Sequence, residues 1–300
     1  MSVGEALVDV LPDGTAVPGG GPMNVAVAGA RLGTPTAFVG RVSTDEHGQR
    51  IWAHLRASGV VLEAAQRGDE PTARAIVELA PGPVFRFEGE GTADASMTSV
   101  DLGPLGPGPK IVHGGTLGIF RGSTAGVLGG LIDDHVGLVS FDPNIRPQII
   151  DDRGAWLRFG DRWLDRADIV KASDEDLAWL GMTPGDLLAR GAAVVLHTIG
   201  ARGAEIHLGR TVNTVHTVHT VHTVAAPVAE VVDAVGAGDS FIAAVLSELD
   251  RSGVTDRSTV DDVDDATWLR IVGFAARVAA VTVSRPGADP PWRSELGAES

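Results

Sequence analysis

The chain contains no cysteine, so disulfides, thiolate zinc sites and thiol nucleophiles are excluded. Lysine is nearly missing as well, with Lys110 and Lys171 the only two. No Gly-Lys-Ser/Thr sequence occurs, which removes a Walker-type phosphate loop. Basic charge is short overall: 24 Lys and Arg stand against 39 Asp and Glu, for a formal net charge of −15. Nothing reads as a basic patch, so no nucleic-acid partner is expected. The start, MSVGEALVDV, has Glu5 and Asp9 but no basic n-region, which is not the pattern of a signal peptide. Two long stretches lack charge. One, 14–30, holds five Gly and two Pro, and the other, 211–229, holds five Thr and three His. Neither composition suits a membrane span, so no membrane partner is expected. What is present is apolar material, 44% of 300 residues, enough for a sizeable core. A soluble, cytoplasmic protein is expected.

Apolar β-rich runs alternate with helical patterns. Strands are expected at 6–10, 36–42, 111–113, 136–141, 168–171, 192–198 and 228–232. Between them lie helices. One runs from Asn24 to Leu32, stopped by Gly33 and Pro35. Asp45 caps a second that Gly59 closes. Thr183 and Pro184 open a short third, and two longer ones run from Gly238 to Leu249 and from Thr267 to Ser284. Such alternation implies a mostly parallel sheet covered on both faces. Residues 71–90 break it, reading as two strands around a turn at Ala80–Pro83, either a flap or an edge hairpin. Three Thr-Val-His copies fill 214–222. A period of three fits neither strand nor helix, and His216 and His219 would face opposite sides of a strand. The tract is therefore expected to be a loop or hairpin tip without metal chemistry.

Chemistry gathers at strand ends. Val231–Phe241 (VVDAVGAGDSF) runs an apolar segment into a glycine turn and a helix. Gly236 and Gly238 permit tight backbone geometry, and the helix start adds free N–H groups and a positive dipole end, a site for phosphate. Asp239, in the first turn, could there accept a proton from an attacking hydroxyl. A dinucleotide fingerprint is the rival, but Phe241 takes the third glycine position. Pro18-Gly19-Gly20-Gly21-Pro22-Met23-Asn24 precedes another helix, and Asp9 would face the same crevice. An amide and a carboxylate suit polyhydroxyl recognition. Asp142–Pro147, Lys171–Asp176 and Thr198–Gly200 each follow a predicted strand, at the edge where open α/β sheets bind ligands.

Together these segments resemble the ribokinase-like PfkB carbohydrate kinases over nearly the whole chain. GEALVDV resembles the opening strand, and PGGGPMNVAVAGARLG with FVGRVSTDEHG the N-terminal signature. DPNIRP, VKASDEDLAWL and HTIGARGA resemble the middle blocks, VVDAVGAGDSF the C-terminal signature and RPGADPP the last nucleotide-side loop. The wording is closest to fructokinases. The resemblance implies a single ribokinase-like domain over 1–300, a three-layer α/β/α sandwich with a small β lid formed by about 12–18 and 71–90. It implies ATP- and Mg²⁺-dependent phosphorylation of a sugar hydroxyl, with fructose ahead of ribose or 2-keto-3-deoxygluconate. Asp239 matches the base, and Gly236, Ala237 and Gly238 the anion hole. Asp9, Gly19, Gly20, Asn24 and Arg146 fall on the sugar side. Lys171, Ser173, Thr198, Gly200 and Gly203 fall on the ATP side, and Asp176 at the magnesium position. Ala234, Ser43, Ser173 and Asp176 depart from the usual wording. A non-catalytic sugar-binding pseudokinase is the alternative, and an exposed lid sheet could pair with a second chain as a homodimer.

Overall fold

The computed structural model describes residues 1–79, 83–105, 110–212 and 216–297. The chain opens with β1 (Ser2–Val3), β2 (Leu7–Val10) and β3 (Ala16–Gly19), then α1 (Gly21–Arg31). β4 (Phe38–Val39), β5 (Arg41–Ser43) and α2 (Glu46–Ala57) follow, then β6 (Gln66–Gly68), β7 (Arg74–Leu79) and β8 (Pro83–Glu88). Regular alternation begins with β9 (Ile111–Gly115), α3 (Gly122–Asp134), β10 (Leu138–Asp142), α4 (Arg153–Arg166) and β11 (Ile169–Ser173). It continues through α5 (Asp174–Leu180), α6 (Pro184–Ala189) and β12 (Val194–Thr198). The hairpin of β13 (Ala204–Val212) and β14 (His216–Val224) leads to α7 (Ala237–Arg251), α8 (Arg257–Asp261) and α9 (Asp265–Val283).

Eight strands form one sheet in the order β14-β13-β12-β11-β10-β9-β1-β4. From β4 to β12 every pairing is parallel; β13 and β14 close the far edge antiparallel. The strands are apolar on both faces because helices cover both. Leu138, Ile169 and Leu196 point to one face, against Phe241 and Val245 of α7 and Phe274 and Val278 of α9. Val139, Phe141 and Val170 point to the other, against Trp156 and Trp163 of α4. This is the three-layer sandwich expected. α9 has the length and apolarity of a membrane span, but its apolar face is the one buried on α7.

A smaller sheet, β3-β2-β7-β8, stands apart. The expected hairpin at 71–90 supplies β7 and β8, although its turn at Ala80–Pro83 falls largely outside the described residues. Residues 6–10, expected in the main sheet, instead pair with β3 and β7 here; the main sheet takes Ser2–Val3. The apolar run could not show this, since Leu7 and Val8 are buried under either assignment. Val8 of the small sheet, with Ala6 before it and Met23 of α1, shares a core with Ile51 and Leu55 of α2.

Two further expectations are corrected. Residues 228–232 form no strand, and Val228, Val231 and Val232 are exposed. The described part of the Thr-Val-His tract is no loop: β14 pairs along its length with β13. An edge strand needs only backbone pairing and strand-compatible Thr and Val, so no period-two pattern is required.

Helix starts follow the sequence closely. Thr183 accepts from Asp186 N in a capping box ahead of Pro184. Asp45 accepts from Gly48 N at 2.7 Å, and it also accepts from the Thr72 backbone N and hydroxyl at 2.8 and 2.6 Å. It thus caps α2 and pins the strand entering the small sheet. Asp45→Ala should cost about 2 kcal/mol, the cap plus the stranded Thr72 donors, and lower Tm by about 5 °C in a thermal melt.

Candidate active site

The parallel strands all end at one edge of the sheet, and polar residues cluster there. Thr116 follows β9 and Asn144 follows β10, both with left-handed φ, 52° and 40°. Such strain in non-glycine residues persists where the surroundings fix it, commonly at functional sites. Asn144 Nδ2 donates to Thr116 Oγ1 at 3.2 Å. Asn144 lies in the DPNIRP segment, whereas Thr116 belongs to no motif; positive φ leaves little trace in sequence outside glycine.

Over this edge sits the start of α7. Gly236 adopts φ 76° and no side chain caps the helix, so its first N–H groups face outward with the positive dipole end. Asp239 is buried in that first turn and accepts from Asn24 Nδ2 at 2.8 Å, which joins α7 to α1 across 215 residues. Burial raises its carboxyl above the usual range, against the pull of Asn24, Lys171 and Arg146. α1 approaches closely because Gly21 opens it: a β-carbon there would stand 2.6 Å from Thr116 Oγ1, 3.2 Å from Asn144 Nδ2 and 3.5 Å from Asp239 Oδ1. Gly19 likewise makes room for Asp9, whose carboxylate a β-carbon would strike, and Gly20 needs its glycine for φ 113°. Burial pushes Asp9 up to about 6; Arg146 opposes this, and Asp239 and Asp233 add to it. Arg146 is exposed and donates to the Asn144 and Ile145 carbonyls.

Beneath α7 lies a buried ion pair, Lys171 Nζ to Asp142 Oδ2 at 3.0 Å, with side chains 6% and 4% exposed. Lys171 presses on α7: a β-carbon at Gly238 would stand 2.9 Å from its Nζ. Burial works against the lysine charge, but Asp142, Asp176 and Asp239 together hold its pKa up, so it stays protonated. Burial pushes Asp142 up to about 7 despite Lys171 beside it.

The expected residues thus divide. Asp239, Asn24, Gly238 and Lys171 meet directly, and Asp9 and Arg146 couple to them electrostatically. Ser173 and Thr198 are register partners at the ends of β11 and β12, and Gly200 follows with φ 52° and open space beside it. Two assignments change. Gly203 is required by packing, because at φ 102° a β-carbon would strike the Val224 carbonyl. Asp176 has both oxygens engaged: Oδ1 accepts from Ile145 N at 2.8 Å, and Oδ2 from Ser173 N and Oγ at 2.9 and 2.8 Å. It caps α5 and holds the 142–146 loop rather than standing free for a metal. Asp142 offers a freer oxygen, since its Oδ1 is a buried carboxylate oxygen without a hydrogen-bond partner among the described residues. Mg²⁺ takes such oxygens, commonly one or two carboxylates together with substrate phosphates.

Residues 5–295 match the pfkB family carbohydrate kinase profile. The chain belongs to the pfkB family of carbohydrate kinases. It is an ATP-dependent sugar kinase with the ribokinase fold. It is 34% identical to a fructokinase of Rhizobium leguminosarum bv. trifolii, over 88% of this chain and 84% of that one. A Klebsiella pneumoniae fructokinase is 35% identical, with 85% of each covered. The structure is similar to that of a Xylella fastidiosa fructokinase with bound ATP, at TM-score 0.86 and 26% identity, covering 98% of this chain and 95% of that one.

The ion pair generates a pH prediction for the kinase. Lys171→Met leaves Asp142 buried without its counter-charge, a loss of about 3–5 kcal/mol when the carboxylate is ionised. Asp142 already has a folded pKa of about 7 against 3.8 unfolded, so its ionisation lowers stability as pH rises through that window. Removing the lysine raises the folded value further. The variant should therefore lose more stability than wild type between pH 5 and pH 8, by up to about 1.4 kcal/mol, as denaturant melts at the two pH values will show.

Proposed function

We propose that this kinase transfers the terminal phosphoryl group of ATP to a primary hydroxyl of fructose. The observation that carries the reading is Asp239, buried at the open N-terminus of α7 and fixed by Asn24 at 2.8 Å. A carboxylate so placed can take the proton of a hydroxyl at the point where phosphate charge is stabilised. Burial raises its basicity, which suits a general base. Phosphoryl transfer leaves little covalent work to the protein, so positioning and charge dominate. Gly236, Ala237 and Gly238 offer backbone N–H groups to the transferred phosphoryl. Asp9, Gly19, Gly20, Asn24 and Arg146 form the sugar side, where the Asp9 carboxylate accepts from hydroxyls. Lys171, Ser173, Thr198 and Gly200 form the ATP side. Mg²⁺, held by Asp142 and the phosphates, would neutralise charge on the transferring group. The small sheet acts as a lid: it carries Asp9 on β2, so closing it completes the sugar site and excludes competing water.

Fructose as the acceptor is supported by the curated fructokinases at 34% and 35% identity. ADP release measured with fructose, ribose and 2-keto-3-deoxygluconate tests it. The highest kcat/KM should fall on fructose, and a preference for either rival sugar would reassign the substrate while leaving the kinase intact. Asp239→Asn should reduce kcat by about 10²–10⁴-fold with sugar affinity largely kept.

Asp9 makes the sugar site pH-dependent. Its folded pKa is about 6, so the accepting carboxylate is present above that pH and lost below it. KM for fructose should rise as pH falls from 7 to 5, by up to about tenfold per unit below the pKa. Asp9→Asn should have a high KM that no longer varies over this range. A KM profile identical in wild type and variant would remove Asp9 from the sugar site.

A further inference from the structure

The hairpin edge of the main sheet carries a group of side chains that phosphoryl transfer does not use. His197, next to last in β12, faces Glu205 of β13 across an antiparallel pair; His207 lies two residues further along β13 on the same face. One ligand atom from each of the three residues lies within 4.8 Å of the other two. The carboxylate oxygen is 3.4 Å from His197 Nδ1 and 3.1 Å from His207 Nε2. Ligands on a tetrahedral zinc ion with bonds of about 2.05 Å stand about 3.3 Å apart, so these two edges already have the right length.

The outer atoms of both rings are anchored in the way metal-bound histidines usually are. His197 Nε2 lies 2.8 Å from Asp174 Oδ1, a group that can only accept. The proton therefore sits on Nε2, and the Nδ1 lone pair turns inward. His207 Nδ1 meets His219 Nε2 at 2.9 Å. A metal on His207 Nε2 requires the ring proton on Nδ1, where it donates to His219 Nε2. Two imidazole nitrogens and a carboxylate oxygen then converge as acceptors, an arrangement that a cation satisfies.

We propose that His197, Glu205 and His207 form a site for a divalent transition metal, zinc or nickel, distinct from the magnesium of the phosphates, with Asp174 and His219 orienting the two imidazoles. Nitrogen-rich donors select such ions over magnesium, which prefers oxygen alone. The site clamps β12 to β13 just before the turn at Thr198–Gly203. It also gives one histidine of the Thr-Val-His tract a defined task. His222, on the opposite face of β14, bonds instead to Asp265 of α9 at 2.9 Å and takes no part.

The test is to titrate tag-free, chelator-treated protein with zinc in excess magnesium, following calorimetry and thermal melts. One zinc per chain should bind, and Tm should rise by about 5 °C at a hundredfold excess over Kd. His197→Gln and His207→Gln should each weaken zinc at least 100-fold, and His219→Ala by about 10–100-fold, the usual weight of an orienting partner. Cobalt should give the visible absorption of a tetrahedral ion in wild type, a readout that needs no variant. Magnesium-insensitive zinc binding of equal strength in His197→Gln and His207→Gln would place the ligands elsewhere and overturn the assignment. Absence of zinc and nickel binding to wild type would show that the group is a proton-bridged histidine–glutamate network.

Discussion

The Lys171–Asp142 pair is the interaction on which the site rests. It joins the last residue of β10 to the middle of the neighbouring β11, under the start of α7, with almost no solvent contact. Removing two such charges from water is expensive, and an apolar pair of similar volume would commonly stabilise a fold as well or better. Its placement therefore speaks for function. The ammonium sits against Gly238 and pulls down the Asp239 carboxyl from one side, as Asn24 does from another. Without it the helix start would lie over two uncompensated acids. Asp176 supports the same arrangement, since its carboxylate ties the loop after Asp142 to the cap of α5 and adds to the field that keeps Lys171 charged.

Close approach is the second constraint. Three structural layers must bring polar atoms from α1 and α7, and from the loops after β9 and β10, into close reach, with Asp9 of β2 beside them. Glycine makes that possible at Gly19 and Gly21, where any side chain would occupy the space of Asp9 or of Thr116. Gly236 contributes differently, through φ 76°, which turns the chain into α7 without a side-chain cap and so leaves helix N–H groups for a ligand. The same residue type thus serves room at one end of the site and backbone conformation at the other.

Much of this was legible in the sequence, and the failures have physical reasons. Helix starts were readable because capping is local: Asp45 and Thr183 announce themselves within four residues. Asp239 and Asn24 were readable because each follows a glycine turn. Sheet membership was not, because Leu7 and Val8 look the same in either sheet and only long-range pairing decides. The edge strand β14 was hidden for a related reason: backbone pairing alone sustains an edge, so the period of three was no obstacle. Asp142 stood in the open in DPNIRP, yet Asp176 drew the metal assignment, because a motif gives residue identity and not whether the oxygens are already bonded. Thr116 was invisible, since strained φ in a non-glycine residue has no composition.

The electrostatic balance follows from these particulars. On the proposed reading, a chain of net charge −15 holds ATP, itself strongly negative, in a crevice that contains Asp9, Asp142 and Asp239. Long-range attraction is therefore of the wrong sign, and screening at physiological salt confines it to about 8 Å. Local terms decide. The N-terminus of α7 carries roughly half a positive charge, Lys171 a full one, and Arg146 another at the rim. The acids, for their part, resist ionisation: burial lifts Asp9 to about 6 and Asp142 to about 7. Burial works against the charged form of Asp142, and a cation beside it would favour that form, as Lys171 does. Burial keeps the free site from repelling phosphate and leaves the charge available once a cation is there to meet it.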